Sequence, residues 1–286
     1  MTEFQVVVIG AGPGGYLTAI KLSQLGQKVA LIENDKLGGE CLNYGCIPSK
    51  TMINTSDMYH KMSDLSTQGI EFESVKVDLE TFQTWKNSIT KKLRGGIDLL
   101  CKNYGVEIVF GTAKIRNPNL VEVINGENKK EISTEYIIIA TGSRAKDLED
   151  LRFDGNQIIS AKDVLDLNKV PKSMLIVGGG AIGLELGTAL AKFGTHVTII
   201  EITDKLLPGI EQDLVNVVER SADKIGIKVL LNSRITEISK ESEVVVSIKN
   251  NDNVSNEKFE KVLVAVGRRA NVEKLGLEEI GIKFNS

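Results

Sequence analysis

Short, almost wholly apolar runs recur along the 286-residue chain, closed by glycine or by an acid. The first, Gln5-Val6-Val7-Val8-Ile9, is β-branched and lacks polar alternation, the pattern of a strand buried on both faces of a parallel sheet. Gly10-Ala11-Gly12-Pro13-Gly14-Gly15 follows, then a helical pattern to Leu25 closed by Gly26 as a C-cap. Lys28-Val29-Ala30-Leu31-Ile32 reads as a second strand, ending at the carboxylate of Glu33. The same order returns in Ser173-Met174-Leu175-Ile176-Val177, Gly178-Gly179-Gly180-Ala181-Ile182-Gly183, a helix to Phe193, Gly194, and His196 to Ile200 ending at Glu201. Gly10, Gly12, Gly15, Gly26 and Glu33 have counterparts 168 residues later in Gly178, Gly180, Gly183, Gly194 and Glu201.

Strand, Gly-x-Gly-x-x-Gly, helix, strand and acid together form a dinucleotide-binding unit. The glycines let the backbone approach a pyrophosphate at the helix N-terminus, and the acid takes ribose hydroxyls. The first site is therefore expected at Gly10, Gly12, Pro13, Gly14, Gly15 and Glu33, and the second at Gly178, Gly180, Ala181, Ile182, Gly183 and Glu201. Between them, Asp57 to Asn103 reads as helical with a polar interruption near Gly69, and Val106 to Gly111 as a strand with a turn. Val121 to Ile124 and Glu131 to Ile139 read as strands about the Asn125-Gly126 turn. The expected fold class is α/β, with two Rossmann-like dinucleotide-binding domains. Each is expected to carry a mostly parallel sheet and an added antiparallel β-meander, with residues 144–171 as the linker region.

Composition narrows the function classes. With 42% hydrophobic and 26% charged residues and a net charge of −3, nothing in the charge balance argues for nucleic acid or a membrane surface. Apolar runs are only a few residues long, too short for a transmembrane helix. Met1-Thr2-Glu3-Phe4 has no basic region and leads straight into a strand, so the expectation is a cytoplasmic protein without a targeting segment.

The candidate chemistry lies in Gly38-Gly39-Glu40-Cys41-Leu42-Asn43-Tyr44-Gly45-Cys46-Ile47-Pro48-Ser49-Lys50. No metal set is expected, because Cys101, His60 and His196 stand alone and the Cys41–Cys46 spacing lacks a second ligand pair. A persistent structural disulfide is unexpected in a reducing compartment. A redox-active pair fits better. Residues five apart in a regular helix lie roughly 8 Å apart, and a disulfide needs Cα atoms within about 7 Å. The helix must therefore be broken here, and Pro48, Gly39 and Gly45 provide the means. Cys101 reads as an inert core thiol.

This stretch closely resembles the active-site motif of the dihydrolipoyl dehydrogenases, among the flavin-dependent pyridine-nucleotide disulfide oxidoreductases. The resemblance implies FAD on the first unit (1–144), with Glu33 on the adenosine ribose, Gly39 and Lys50 near the flavin, and Ala113 meeting the adenine through its backbone. Thr141-Gly142-Ser143 would lie where the chain leaves the flavin domain, with Ala265 and Gly267 as counterparts in the second. It implies NAD on residues 145–271, where Glu201 disfavours a 2′-phosphate and no arginine follows closely. Residues 272–286 would begin the return to the flavin domain. Lys50 and Glu185 would pair beside the flavin as part of the catalytic set with Cys41 and Cys46. A dihydrolipoyl thiolate would attack Cys41, and Cys46 would leave as the thiolate. The partner would be a dihydrolipoyl-bearing acyltransferase or carrier protein of 2-oxo acid dehydrogenase complexes, and the full-length enzyme a homodimer. The histidine–glutamate base and a second flavin-domain segment are expected beyond Ser286, so the isolated chain is expected to be a poor catalyst. Two alternatives remain: a mercuric reductase-like or related disulfide reductase, and a non-catalytic dinucleotide-binding module. Glutathione-type members carry lysine where Ser49 stands.

Overall fold

The computed structural model describes residues 2–70 and 74–284, so residues 71–73 of the long helical stretch lie outside the described residues. The chain forms two compact units: Met1–Ile47, Asn87–Arg144 and Arg269–Ser286 in one, Pro48–Lys86 and Ala145–Arg268 in the other.

The elements up to the first crossing run in the order β1 (Thr2–Ile9), α1 (Pro13–Gln24), β2 (Val29–Glu33), α2 (Gly39–Tyr44), α3 (Cys46–Asp64), α4 (Leu79–Asn103), β3 (Glu107–Phe110), β4 (Thr112–Asn117), β5 (Leu120–Asn125) and β6 (Asn128–Ile139). Six strands form one sheet in the order β3-β2-β1-β6-β5-β4. The half from β3 to β6 is parallel, and β6-β5-β4 is an antiparallel meander extending the same sheet. The unpatterned apolar run of β1 is explained by burial on both faces. Val6 and Val8 pack with Ala19, Leu31, Ile97 and Cys101, while Val7 and Ile9 pack with Ile32, Val121, Leu275 and Leu277.

The remaining elements are β7 (Ser143–Ala145), β8 (Ile158–Ile159), α5 (Ala161–Val164), β9 (Ser173–Val177), α6 (Ala181–Lys192), β10 (His196–Ile200), α7 (Gln212–Lys224), β11 (Lys228–Leu230), β12 (Ser233–Lys240), β13 (Val244–Asn250), β14 (Asn253–Phe259), β15 (Lys261–Val264) and β16 (Arg268–Ala270). The second unit has a fully parallel sheet, β11-β10-β9-β15-β8, and a separate antiparallel sheet, β12-β13-β14. Met174 and Ile176 of β9 face one core, and Leu175 and Val177 the other. Met52, Leu79 and Phe82 join the first of these, so residues 48–86 pack in the second unit.

The expected linker at 144–171 is corrected by the structure. Ile158 and Ile159 form β8 and pair with β15, and Ser160 opens α5 with a capping box to Asp163. The stretch was hard to read because β8 has only two residues, too few for a periodicity to show.

Two neighbouring glycines give the fold a sharp test. A Cβ on Gly15 would collide with the Gly10 carbonyl oxygen, whereas one on Gly14 meets nothing within 4 Å. Gly15→Ala should lower stability in urea unfolding by about 1–3 kcal/mol through backbone displacement. Gly14→Ala, in the first turn of α1, should be neutral or stabilising by up to about 1 kcal/mol. Equal effects at the two positions would show that the close approach does not limit stability.

Candidate functional site

The two glycine loops are built alike, atom by atom. Gly10 (φ +101°) and Gly178 (φ +112°) leave their strands in a conformation that an L side chain rarely adopts, and each faces a carbonyl, that of Ala140 or Ala265. The Glu33 carboxylate reaches back to the first loop: Oε2 accepts from Ala11 N at 2.8 Å, and Oε1 from Asn34 N and Asp35 N at 2.9 and 2.8 Å. Glu201 repeats this, with Oε2 accepting from Gly179 N at 2.7 Å and Oε1 from Thr203 N and Oγ1 at 3.0 and 2.9 Å. Both acids are buried, and each spends three acceptor positions of about four on the protein. One remains on each for a hydroxyl. No side chain caps the N-terminus of α1 at Gly12 or of α6 at Gly180. These helix ends therefore present free amide donors, the chemistry a pyrophosphate requires. Glycine loop, acid and uncapped helix together fit a dinucleotide in each unit.

The cysteine motif sits against the first loop. Gly38 N donates to Ala11 O at 2.8 Å, and a Cβ on Gly39 (φ +56°) would stand 2.6 Å from Gly12 Cα. The helix is broken at Gly45 (φ −139°, ψ −104°), which separates α2 from α3. Pro48 falls in the first turn of α3, where its missing N–H costs little. The break brings Cys41 and Cys46 to a Cα separation of 4.6 Å, and they are disulfide-bonded. Cys46 is the exposed member and the first residue of α3; Cys41 is partly buried in α2. Cys101 is fully buried and unpaired, and burial, with Asp98 adding to it, pushes its thiol up.

The residues after each last parallel strand also correspond. Ala140 N donates to Ile9 O and Ala265 N to Val177 O, both at 2.8 Å. Thr141 and Gly142 (φ +67°) are held by Asn271, whose Nδ2 donates to Thr141 O at 2.9 Å and whose N donates to Gly142 O at 3.0 Å. Ser143 opens β7, and Gly267 (φ +133°) precedes β16. Arg144 forks onto Glu273 at 2.9 and 2.7 Å, and its hydrogen bond holds that carboxyl down at about 2. Ala113 lies on β4 with its side chain in the core. Ala181 and Ile182 form the exposed first turn of α6.

In the second unit Lys50 Nζ meets both oxygens of Glu185 at 2.7 Å. Their side chains are 61% and 41% exposed, so the pair stands at the surface of that unit rather than in its core. Sequence reasoning missed two groups. Arg94 donates to Asn43 within the cysteine motif, 51 residues away. Arg234 and Lys249, opposite one another on β12 and β13, line a cavity of about 220 Å³ with Ile202, Asn232, Ser233 and Asn251. A search for cations just after Glu201 in sequence could not find these two, because the β12–β13 hairpin delivers them.

Comparison with known proteins accounts for the duplicated loops and the bonded cysteines together. Residues 4–286 match the family described as pyridine nucleotide-disulphide oxidoreductase. The chain is 43% identical over 285 residues to a dihydrolipoyl dehydrogenase of Geobacillus stearothermophilus, covering 99% of this chain and 60% of that protein. It is 39% identical over 286 residues to the dihydrolipoyl dehydrogenase of Bacillus subtilis, with the same coverage. The chain thus spans about three fifths of the length of these relatives. Among solved structures, the HOCl-induced flavoprotein disulfide reductase RclA from Escherichia coli matches at TM-score 0.82 and 27% identity, over 98% of this chain and 60% of that one. LpdA from Mycobacterium tuberculosis shares the fold at TM-score 0.88 and 23% identity, over 100% of this chain and 63% of that one. Among the described residues, no helix is long and apolar enough to cross a membrane. With the family matched over nearly its whole length and a Cys41–Cys46 disulfide seated on the first of two dinucleotide loops, the chain belongs to the pyridine nucleotide-disulphide oxidoreductases.

Proposed function

We propose that this chain carries the dithiol-oxidising and nucleotide-binding parts of a dihydrolipoyl dehydrogenase, with FAD on the first dinucleotide unit (1–144) and NAD on the second (145–271). The observation that carries the reading is the backbone approach of Gly39 to Gly12: a nucleotide on the first loop lies beside the turn that bears Cys41. Gly10 to Gly15 would cradle the FAD pyrophosphate and Glu33 would take a ribose hydroxyl, with Gly39, Ala113, Thr141, Gly142 and Ser143 completing the site. Gly178 to Gly183, Glu201, Ala265 and Gly267 would do the same for NAD. The chemistry supplied by the bound nucleotides is two-electron transfer, accepted from the reduced cysteines and delivered to NAD⁺ as hydride.

The chain's own part is thiol–disulfide exchange. A substrate thiolate attacks Cys41 Sγ, the Cys41–Cys46 bond breaks, and Cys46 leaves as the thiolate. The second substrate thiol, deprotonated, then displaces Cys41, which leaves as a thiolate while the substrate closes to a disulfide. One electron pair has moved from substrate to protein, and two protons are released. Cys46 is the better leaving group because it opens the 19-residue helix α3, whose N-terminal dipole stabilises an anion. Lys50, four residues further on, is held by Glu185 and would position the nicotinamide end of the reaction. The dithiol carrier would be a dihydrolipoyl-bearing acyltransferase or carrier protein of a 2-oxo acid dehydrogenase complex. The whole enzyme would be a cytoplasmic homodimer. A second reading, a related flavoprotein disulfide reductase, is favoured by the likeness to RclA.

The deciding experiment extends this chain with the C-terminal region of a relative, supplies FAD, and follows NADH formation with dihydrolipoamide. Turnover that vanishes in Cys41→Ser is expected. Turnover with other disulfide substrates but none with dihydrolipoamide would favour the second reading. On the chain itself, mild reduction should expose two new alkylatable thiols, at Cys41 and Cys46, while Cys101 stays unreactive until unfolding. Thiol counts at 41 and 46 that do not change on reduction refute a redox pair.

Glu201 sets the nucleotide preference. A second negative charge from a 2′-phosphate beside a buried carboxylate is unfavourable, so NADH should bind more tightly than NADPH. Arg234 and Lys249 line the neighbouring cavity and act in the opposite direction, which keeps the preference finite. Glu201→Ala should narrow it by about 1–3 kcal/mol, the worth of a hydrogen bond to a charged group. Equilibrium binding of both nucleotides measures this, and tighter NADPH binding by the unaltered chain overturns the assignment.

A further inference from the structure

The turn that carries Cys41 is held by a residue outside the cysteine motif. α2 has only six residues, too short to be stable alone, and it lies between the left-handed Gly38 (φ +89°) and the break at Gly45. Its side-chain anchor is Asn43, two residues after Cys41. Asn43 Nδ2 donates to Leu37 O at 3.0 Å and to Gly39 O at 2.9 Å, and its Oδ1 accepts from Arg94 Nη1 at 2.8 Å. The guanidinium thereby fixes which way the amide faces. Arginine has only donors, so the oxygen must turn to α4 and the nitrogen to the two carbonyls. Arg94 and Asn43 are both half-buried, and both belong to the unit that holds the disulfide.

We propose that Arg94 is a positioning residue for the Cys41–Cys46 pair: by locking Asn43 it fixes α2 and keeps Cys41 within reach of Cys46 when the disulfide is open. The inference rests on the redox reading above. Two thiols held in reactive geometry have a high effective concentration, which favours the disulfide over the dithiol. If the tie to α4 is removed, α2 keeps the buried Leu42 and the Tyr44 hydroxyl bond to Asp35 at 2.6 Å but loses the bond that fixes the Asn43 amide, so the turn loosens and the effective concentration falls.

The test is the equilibrium of the 286-residue chain with mixtures of reduced and oxidised glutathione. Each protein disulfide opened consumes two glutathione thiols and yields one glutathione disulfide, and alkylation followed by mass measurement counts the protein thiols. Arg94→Met keeps the apolar stem and removes every donor. It should lower the equilibrium constant for disulfide formation about tenfold, equivalent to ~30 mV for this two-electron couple. Arg94→Lys keeps a long side chain with a donor-only ammonium for Asn43 Oδ1 and should stay within about threefold of the unaltered chain. Arg152→Ala, in the other unit, should change nothing. An Arg94→Met equilibrium constant equal to that of the unaltered chain overturns the proposal, and so does Arg94→Lys falling as far as Arg94→Met. An unaltered chain that forms no reversible disulfide at any glutathione ratio overturns the redox reading and this inference with it, an outcome distinct from the other two. If Arg94→Met does not fold, Arg94→Lys against Asn43→Ala decides: the alanine variant should show the tenfold loss and the lysine variant should not.

Discussion

Backbone packed directly on backbone is the constraint around which the first unit is organised. At Gly12 and Gly39 the nucleotide loop and the redox turn meet with no side chain between them, and at Gly10 and Gly15 the loop closes on itself just as tightly. Such contacts bring the glycine loop, the N-terminus of α1 and the disulfide turn together in one small volume. They also make the turn intolerant, since a Cβ at Gly10, Gly15 or Gly39 must displace main chain rather than a flexible side chain. The chemistry proposed for the chain draws on that proximity, because a nucleotide held by the loop would lie beside the turn that bears Cys41.

The duplication shows which features the two glycine loops share. Glycine geometry, an acid accepting from the loop amide, and an uncapped helix recur in both units, while the surrounding sheets differ. In the first unit the antiparallel strands extend the main sheet; in the second they form a separate sheet. What is repeated is the set of donors and the one spare acceptor on each buried carboxylate. What differs is how the antiparallel strands join the parallel sheet. The β12–β13 hairpin also adds Arg234 and Lys249 to the cavity beside Ile202, a feature without a counterpart among the site residues of the first unit.

Much of this was legible in the residues. Continuous β-branched runs predict strands buried on both faces, and β1 and β9 are such strands. Glycine at fixed offsets predicts the loops, because only glycine tolerates the positive φ and close approach found at Gly10 and Gly178. Pro48 and the neighbouring glycines predicted a broken helix, and the break lies at Gly45. These are local statements about backbone freedom and hydrophobic period, which nearby residues decide.

Partner choice across long separations was not legible. Nothing in the residues of α3 and α4 shows that Met52, Leu79 and Phe82 join the core of the second unit. The two residues of β8 are strand only because β15 lies beside them. Arg94 reaches Asn43, and Arg144 reaches Glu273, across 51 and 129 residues. The sequence by itself determined the two nucleotide loops, their acids and the cysteine turn, since each is written in consecutive residues with their own steric requirements. The tertiary structure alone decided which surfaces cover one another and which charges meet, because complementarity of shape and charge exists only once distant segments are packed together.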